Sequence, residues 1–501
     1  MGRLATRFVV AVVIAVGLGG CGSGGSSGGG STGGGSGPGG GPIATPSPPG
    51  PQIPAADAQN VIVFIADDLG WRDVGYAGST FHETPNIDAL AAAGMVFTSA
   101  YSASPVCSPT RAALMTGLDP ARLGMTTIIN DQGVSTPTLL SPPDSANHLD
   151  PALKTMGEYF KDAGYKTMFS GKWHIGESAN HWPENEGFDV NRGGAQLGAP
   201  IGSPSAWYSP YRNARLPDGP AGEFLEDRLT SETISFIRSN TSRPFFITHA
   251  FYLPHLPMVA IQPHFPKYEQ RNAGIKSPFP AARHLNYGVF SQSLQAVPHY
   301  GSMVQSLDDQ VGKIVAELKA QNLYEKTVIV FVSDNGGFAP FFGGTSNEPL
   351  RGGKTWLYEG GVRVPMVIRA PGSTVGGSRS DYVTRSEDLL PTLLNLTKLV
   401  PASSKFDGVN LFAADRPAAR TLVWHYPHYH ISGSRPATAI RHGNWKLIQF
   451  LEDNSVQLYD LAADPGETTD LAAARADIVS DLLQRLDAWR ANVGARMPTP
   501  R

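Results

Sequence analysis

The 501-residue chain has two cysteines, Cys21 and Cys107, a scarcity that excludes a disulfide scaffold and any zinc or iron–sulfur centre built from several thiolates. Runs of like charge are missing too. With 40 Lys and Arg against 43 Asp and Glu, the net charge of −3 leaves no polybasic membrane patch and no electrostatic footprint for nucleic acid. Between Phe8 and Ala56 there is no charged residue at all, and residues 22 to 42 are only Gly, Ser, Thr and Pro. Such a stretch cannot bury a core. What the chain has in excess is glycine and proline, 56 and 41 residues, and much of that excess lies in this N-terminal region. The remainder, Asp57 to Arg501, mixes apolar and charged residues in the proportions of a large globular fold, which excludes disorder there.

Met1 to Arg7 carries Arg3 and Arg7 ahead of the apolar run Phe8–Leu18, which is too short to span a bilayer comfortably and suits the core of a signal peptide. Leu18-Gly19-Gly20-Cys21 resembles the bacterial lipobox, which implies cleavage before Cys21 and lipidation of its thiol. An ordinary secretory signal is the other reading. The expected organisation is a lipoprotein signal over 1–20, a flexible Gly/Ser/Pro-rich tether over 21–56, a large α/β domain over 57–412 and a C-terminal subdomain over 413–501. The expected location is extracytoplasmic, lipid-anchored to a bacterial membrane on its periplasmic side or at the cell surface.

Val61-Ile62-Val63-Phe64-Ile65-Ala66 and Thr327-Val328-Ile329-Val330-Phe331-Val332 are short β-branched runs without polar alternation, the pattern of parallel strands buried on both faces. Phe245–Thr248 and Lys166–Phe169 are weaker candidates for the same sheet. Helices are predicted between them. Asp150-Pro151 places a cap and a first-turn proline before Leu153, Met156 and Phe160, and Gly164 closes that segment. Met303, Leu307, Val311, Ile314 and Leu318 recur on one helical face. Strands alternating with helices predict an α/β fold with a large, mostly parallel central sheet. Past a helix over 387–396, short strands at 421–424, 445–450 and 456–458 and a helix over 477–493 predict the smaller subdomain.

Each apolar run is followed by polar residues: Asp67-Asp68, Gly171-Lys172-Trp173-His174, Pro254-His255 and Asp334-Asn335. In open α/β sheets ligands bind at the carboxyl ends of strands, so these groups can converge although far apart in sequence. Asp67, Asp68, Asp334 and Asn335 offer hard oxygen donors, which suit Ca²⁺ or Mg²⁺. Singly, each is as readily a helix cap or a turn residue. Together they point to a metal, because bare carboxylates at one sheet edge repel each other.

Cys107-Ser108-Pro109-Thr110-Arg111 precedes Ala112 to Gly117, so Pro109 marks a predicted helix start with Cys107 just before it. A buried structural cysteine is the plain reading. A phosphatase-type thiolate is excluded, since three residues separate Cys107 from Arg111 where that mechanism needs five.

Cys-x-Pro-x-Arg with Leu114-Met115-Thr116-Gly117 resembles the signature of the type I, formylglycine-dependent sulfatases of the alkaline phosphatase superfamily. The resemblance extends over most of residues 58 to 475. It takes in Asp67-Asp68-Leu69-Gly70, Gly171 to Gly176, Ser306 to Asp309, Ser333 to Gly337, Arg351 to Lys354, Glu359 to Pro365, Leu458 to Leu461 and Asp464 to Glu467. It implies an alkaline-phosphatase-like sandwich with a short antiparallel sheet in the C-terminal subdomain. It also implies oxidation of Cys107 to formylglycine by a formylglycine-generating enzyme, and one divalent cation, Ca²⁺ ahead of Mg²⁺.

Carried onto this sequence, the resemblance implies that Asp67, Asp68, Asp334 and Asn335 hold the cation together with the modified Cys107. Arg111 would hold the hydrated aldehyde, one hydroxyl of which attacks sulfur. Lys172 and Lys354 would bind sulfate oxygens, and His255, with Lys354, would protonate the leaving oxygen. His174 would take the proton as sulfate departs. His425, His428 and Arg435, in a stretch dense in imidazole and aromatic rings, are candidate sugar contacts, with a plain surface strand as the other reading. A tethered extracytoplasmic enzyme fits a sulfated glycan better than a small aryl sulfate. Two further classes stay open: a phosphonate monoester or phosphodiester hydrolase, and a non-catalytic glycan-binding lipoprotein whose Cys107 remains a thiol.

Overall fold

The apolar runs without polar alternation form the middle of an eight-stranded sheet. In the computed structural model the described residues are 59–501 except 132, 135–136, 201–204, 274–282, 286–288, 292–293, 340–342 and 400–404. The expected signal segment, Cys21 and the tether lie outside them. The strands are β1 (Asn60–Ala66), β2 (Met95–Phe97), β3 (Lys166–Gly171), β4 (Val190–Arg192), β5 (Phe245–Ala250), β6 (Thr327–Ser333), β7 (Met366–Arg369) and β8 (Ser378–Ser380). Their order is β8-β2-β7-β6-β1-β5-β3-β4. From β6 to β4 every pairing is parallel, while β7 runs antiparallel to both β6 and β2.

Both faces of β1 are covered, which is why its sequence does not alternate. Ile62 and Phe64 pack with α1 (Pro85–Ala93), α4 (Leu225–Ser239) and α5 (Pro298–Ala320). Val61, Val63 and Ile65 pack with α2 (Cys107–Thr116), α3 (Met156–Asp162) and α6 (Leu389–Leu396). Each of these fully buried side chains contributes about 1.5–3 kcal/mol, so the central strands are anchored from two sides.

The C-terminal part forms a separate antiparallel sheet, β9 (Thr421–Tyr426), β10 (Ala437–His442), β11 (Trp445–Phe450) and β12 (Val456–Asp460), in that order. Helix α7 (Ala476–Val493) covers one face with Leu482 and Leu486. The other face lays Trp424, Tyr426 and Phe450 against Tyr101, Trp356 and Tyr358.

Three local expectations change. The helix expected from Asp150-Pro151 begins at Met156, because Thr155 and Glu158 form a capping box and Asp150 instead accepts from the Ala152 amide in a turn. Cys107 is the first residue of α2 rather than the residue before it, which leaves Pro109 in the first turn, where its missing N–H costs nothing. Strand β10 was not anticipated. Its sequence, Ala-Thr-Ala-Ile-Arg-His, has few of the usual strand formers, and central pairing to β9 and β11 holds it.

Candidate active site

The backbone gathers the polar residues by continuing the sheet's hydrogen bonding past the strand ends. Asp334 N–H donates to Ala66 O (3.1 Å), Asp67 N–H to Leu253 O (3.0 Å) and Lys172 N–H to Ala250 O (2.8 Å). Gly171, at φ 96°, permits this approach, since a Cβ there would stand 1.9 Å from Ala250 O. Farther along, Lys354 N–H donates to Gly337 O (3.1 Å) and Thr355 N–H to Pro105 O (2.8 Å), which lays the segment after Arg351 across the start of α2. Three non-glycine residues of the site, Asp68, His174 and Thr355, have φ of 63°, 59° and 77°. Such backbone costs on the order of 1–3 kcal/mol each and persists where the surroundings enforce it.

The side chains form an alternation of buried charges. Lys172 Nζ lies 2.7 Å from Asp67 Oδ2, and Lys354 Nζ 2.7 Å from Asp68 Oδ1 and 3.2 Å from Cys107 Sγ. Arg111, one helical turn after Cys107 and on the same face, donates from Nε to Asp334 Oδ2 (2.8 Å) and from Nη1 to Lys172 O (2.6 Å). Asn335 Nδ2 donates to Asp68 Oδ1 (2.8 Å), and His255 Nε2 is 3.6 Å from Asp68 Oδ2. Every one of these groups except His255 is buried.

Burial and charge act unequally on the carboxylates. Burial drives the Asp67 carboxyl well above its usual range despite Lys172, with Asp334 adding to the rise. Burial also opposes ionisation of Asp68 and Asp334, but Lys354 with His255 at the first, and Arg111 with Lys172 at the second, bring both below the usual range. Burial, then Lys172 and Arg111, hold His174 well below an ordinary imidazole, and its Nδ1 has no hydrogen-bond partner among the described residues. Burial and Lys354 likewise lower His255. Both histidines are therefore neutral at pH 7.

Ligand-capable atoms of Asp67, Asp68, Cys107 and His255 lie within 4.8 Å of one another. Asn335 Oδ1 is buried without a hydrogen-bond partner among the described residues, an acceptor left over after its amide nitrogen has been used. A hard cation would complete it, so the donor set fits a divalent metal. Asp334 keeps Oδ2 on Arg111 and accepts through Oδ1 from the Asp68 amide (3.2 Å), which ties it to the same group.

These motifs on this framework decide the family. The sulfatase family model matches residues 59–399, and a model described as the N-sulphoglucosamine sulphohydrolase C-terminal region matches 352–492. The chain belongs to the sulfatase family. Over 86% of its length it is 31% identical to the N-acetylgalactosamine-6-sulfatase of Canis lupus familiaris, covering 85% of that protein. It is 30% identical to a sulfatase of Formosa agariphila, with 86% and 88% of the two chains covered. Among solved structures, Ps i-CgsB in complex with a neocarrahexaose superposes with a TM-score of 0.69 at 28% identity, over 86% of this chain and 92% of the other. A phosphonate monoester hydrolase of Agrobacterium radiobacter, at 20% identity and a TM-score of 0.60, shares the fold.

The expected sugar contacts of the sulfatase fall apart into different roles. His425 uses both ring nitrogens inside the C-terminal part, on Thr438 Oγ1 (2.8 Å) and Arg496 O (2.9 Å), so neither is left for a substrate. His428 is buried with Nε2 on Thr126 Oγ1 (2.8 Å), and it borders a cavity of about 460 Å³ with Asp131 and Tyr429. Arg435 borders a neighbouring cavity of about 260 Å³, where Glu452 and Asp453 pair with it at 3.3 and 3.4 Å. His430, of the same imidazole cluster, and Thr355, noted in the sequence only as the residue after Lys354, are joined by Ser432, which sequence reasoning missed. A β-branched residue straight after Gly352-Gly353-Lys354 was the available signal.

Proposed function

We propose that this sulfatase hydrolyses the sulfate ester of a sulfated sugar through formylglycine at position 107 and a divalent cation held by Asp67, Asp68, Asp334 and Asn335. The observation that carries the reading is the convergence of Cys107, three buried carboxylates and three buried cations, with Asn335 Oδ1 left without a partner among the described residues. When bound, the cation would supply Lewis-acid charge at the sulfate oxygens, and the hydrated aldehyde would supply the nucleophile. Ca²⁺ is favoured over Mg²⁺ because the donors come from several loops, a set that suits the larger, geometrically tolerant ion.

The chain's own residues do the rest. Lys172 and Lys354 present ammonium groups already fixed by Asp67 and Asp68, so no reorganisation is needed when negative charge gathers on sulfate. Arg111, held by Asp334 and Lys172 O, stands beside position 107 and orients its hydroxyls. His174, neutral and with Nδ1 unengaged among the described residues, accepts the proton released when sulfate departs. His255 and Lys354 flank the other side, where the alcohol leaves. His255 Nε2 and Lys354 Nζ both lie against Asp68, and together they protonate the leaving oxygen.

Sugar esters are favoured by relatives whose names specify N-acetylgalactosamine 6-sulfate and a bound neocarrahexaose, and by two adjoining cavities, the smaller bordered by His430, whose imidazole feels the charge of Lys354. The N-terminal pattern around Cys21 supports a lipid-anchored, extracytoplasmic enzyme. The test is peptide mass spectrometry across residue 107 in protein from its native host, with sulfate release measured on 6-sulfated N-acetylgalactosamine, carrageenan oligosaccharides and 4-nitrophenyl sulfate. An aldehyde at 107, and loss of release in Cys107→Ala, are expected. Unmodified cysteine throughout, or faster turnover of phosphate diesters than of any sulfate ester, would overturn the reading. Detergent-phase partitioning that survives Cys21→Ser would contradict the lipid anchor.

A further inference from the structure

Thr355 is the one β-branched residue of the site with a left-handed backbone, at φ 77°, and it follows Lys354 directly. Two contacts hold it there. Its N–H donates to Pro105 O (2.8 Å), and its Oγ1 lies 2.5 Å from Ser432 Oγ. Ser432 is buried, and it meets His430 Nδ1 twice, from Oγ at 3.0 Å and from its own backbone N–H at 3.1 Å.

The backbone contact settles the imidazole's tautomer. An amide N–H can only donate, so Nδ1 must be the acceptor and the ring proton of neutral His430 sits on Nε2. Burial, reinforced by Lys354, pushes this group down to about 4, so the neutral form prevails. Nε2 has no hydrogen-bond partner among the described residues, and His430 borders a cavity with Tyr429, Arg435 and Glu452. That cavity adjoins the larger one through Val134, Thr138 and Tyr429. Its rim carries Leu139, 69% exposed, and next to His430 stands Ile431, 79% exposed. An aromatic ring, apolar rim residues and a fixed donor are what a pyranose, with one apolar face and an equator of hydroxyls, requires.

Resting on the sulfatase reading above, we propose that His430 is a specificity-determining residue whose Nε2–H donates to an oxygen of the sugar in this cleft, and that Ser432 and Thr355 tie that contact to the backbone carrying Lys354. Sugar recognition and the placing of the ammonium at sulfate are thereby linked through three side chains. Ser432 and Thr355 are positioning residues in this scheme.

The experiment compares kcat/KM on 6-sulfated N-acetylgalactosamine or carrageenan oligosaccharides with that on 4-nitrophenyl sulfate, which brings no sugar hydroxyl. His430→Ala should lower the saccharide-to-aryl ratio about tenfold, the effect of one neutral hydrogen bond. His430→Gln, whose amide can donate from near the Nε2 position, should recover much of it. Adding Ser432→Ala to His430→Ala should leave the ratio where the single variant put it. An unchanged ratio in His430→Ala, or a Gln variant no better than Ala, overturns the donor assignment. Multiplicative losses in the double variant overturn the link through Ser432. Failure of the sulfatase reading would look different: the unsubstituted enzyme would release sulfate from no ester, the aryl one included.

Discussion

At the scale of single residues, the site depends on groups whose partners are far away in sequence. Asn335 is the clearest case, with its amide nitrogen spent on Asp68 and its oxygen without a partner among the described residues. Asn335→Ala removes that oxygen and loosens Asp68 as well, so affinity for Ca²⁺, read by calorimetric titration, should fall at least ~10-fold while the fold is retained. An unchanged affinity would place the ion elsewhere. Asp67-Asp68, Cys107 and Arg111 were legible in the sequence because their motif is local and chemically specific. That Lys354 would reach Asp68 and Cys107 was not legible from its own surroundings, since a lysine among glycines is indistinguishable from a surface loop until the fold closes. His425 shows the converse. Its setting suggested a ligand, and its two hydrogen bonds make it part of the subdomain's interior.

At the scale of elements, the long apolar strands could be read directly, because burial on both faces abolishes polar alternation and little else does. Short or central pieces such as β10 could not, since their stability comes from neighbours on either side rather than from composition. Helix α4 adds a testable feature. Its buried Glu226 accepts from the Tyr252 amide (2.8 Å) on the loop leading to His255, while Oε2 has no partner among the described residues. Burial raises this carboxyl from 4.5 to about 8. A raised carboxyl favours the protonated folded state, so its contribution is complete below about 4.5 and is lost as pH climbs through about 8. Glu226→Gln keeps the acceptor without the charge. Its Tm should exceed that of the unsubstituted protein by a margin that widens from pH 6 to pH 9, and a margin independent of pH would refute the assignment.

At the scale of the whole molecule, the two sheets are joined by a buried ionic cluster. Lys446 of β11 lies 2.9 Å from Glu359 Oε1 and 3.0 Å from Glu467 Oε1, and Tyr101 donates to Glu359 Oε2 at 2.7 Å. Lys446→Met would strand two carboxylates against each other, a change worth about 3–5 kcal/mol of destabilisation. Burial lifts Glu467 to about 7, so the deficit measured by denaturant unfolding should be smaller at pH 5 than at pH 8. Equal deficits at both would mean that packing, and not charge, holds the joint. Chelation makes a second global prediction. Removing the divalent ion should lower Tm, and returning Ca²⁺ should raise it with concentration, since a ligand bound only to the native state stabilises it by mass action.

The same oxygen cluster has a consequence for how the protein reaches its final form. Asp68 meets Asn335 across 267 positions of chain, and Arg111 meets Asp334 across 223. No stretch of nascent polypeptide shorter than that contains the set, and no more than two of the four oxygen donors are ever neighbours. An ion therefore has nothing to grip on a half-finished chain and cannot guide early collapse. Its capture would come last, so ion uptake followed in real time would report completion of folding in a way that helix content, acquired much earlier, would not.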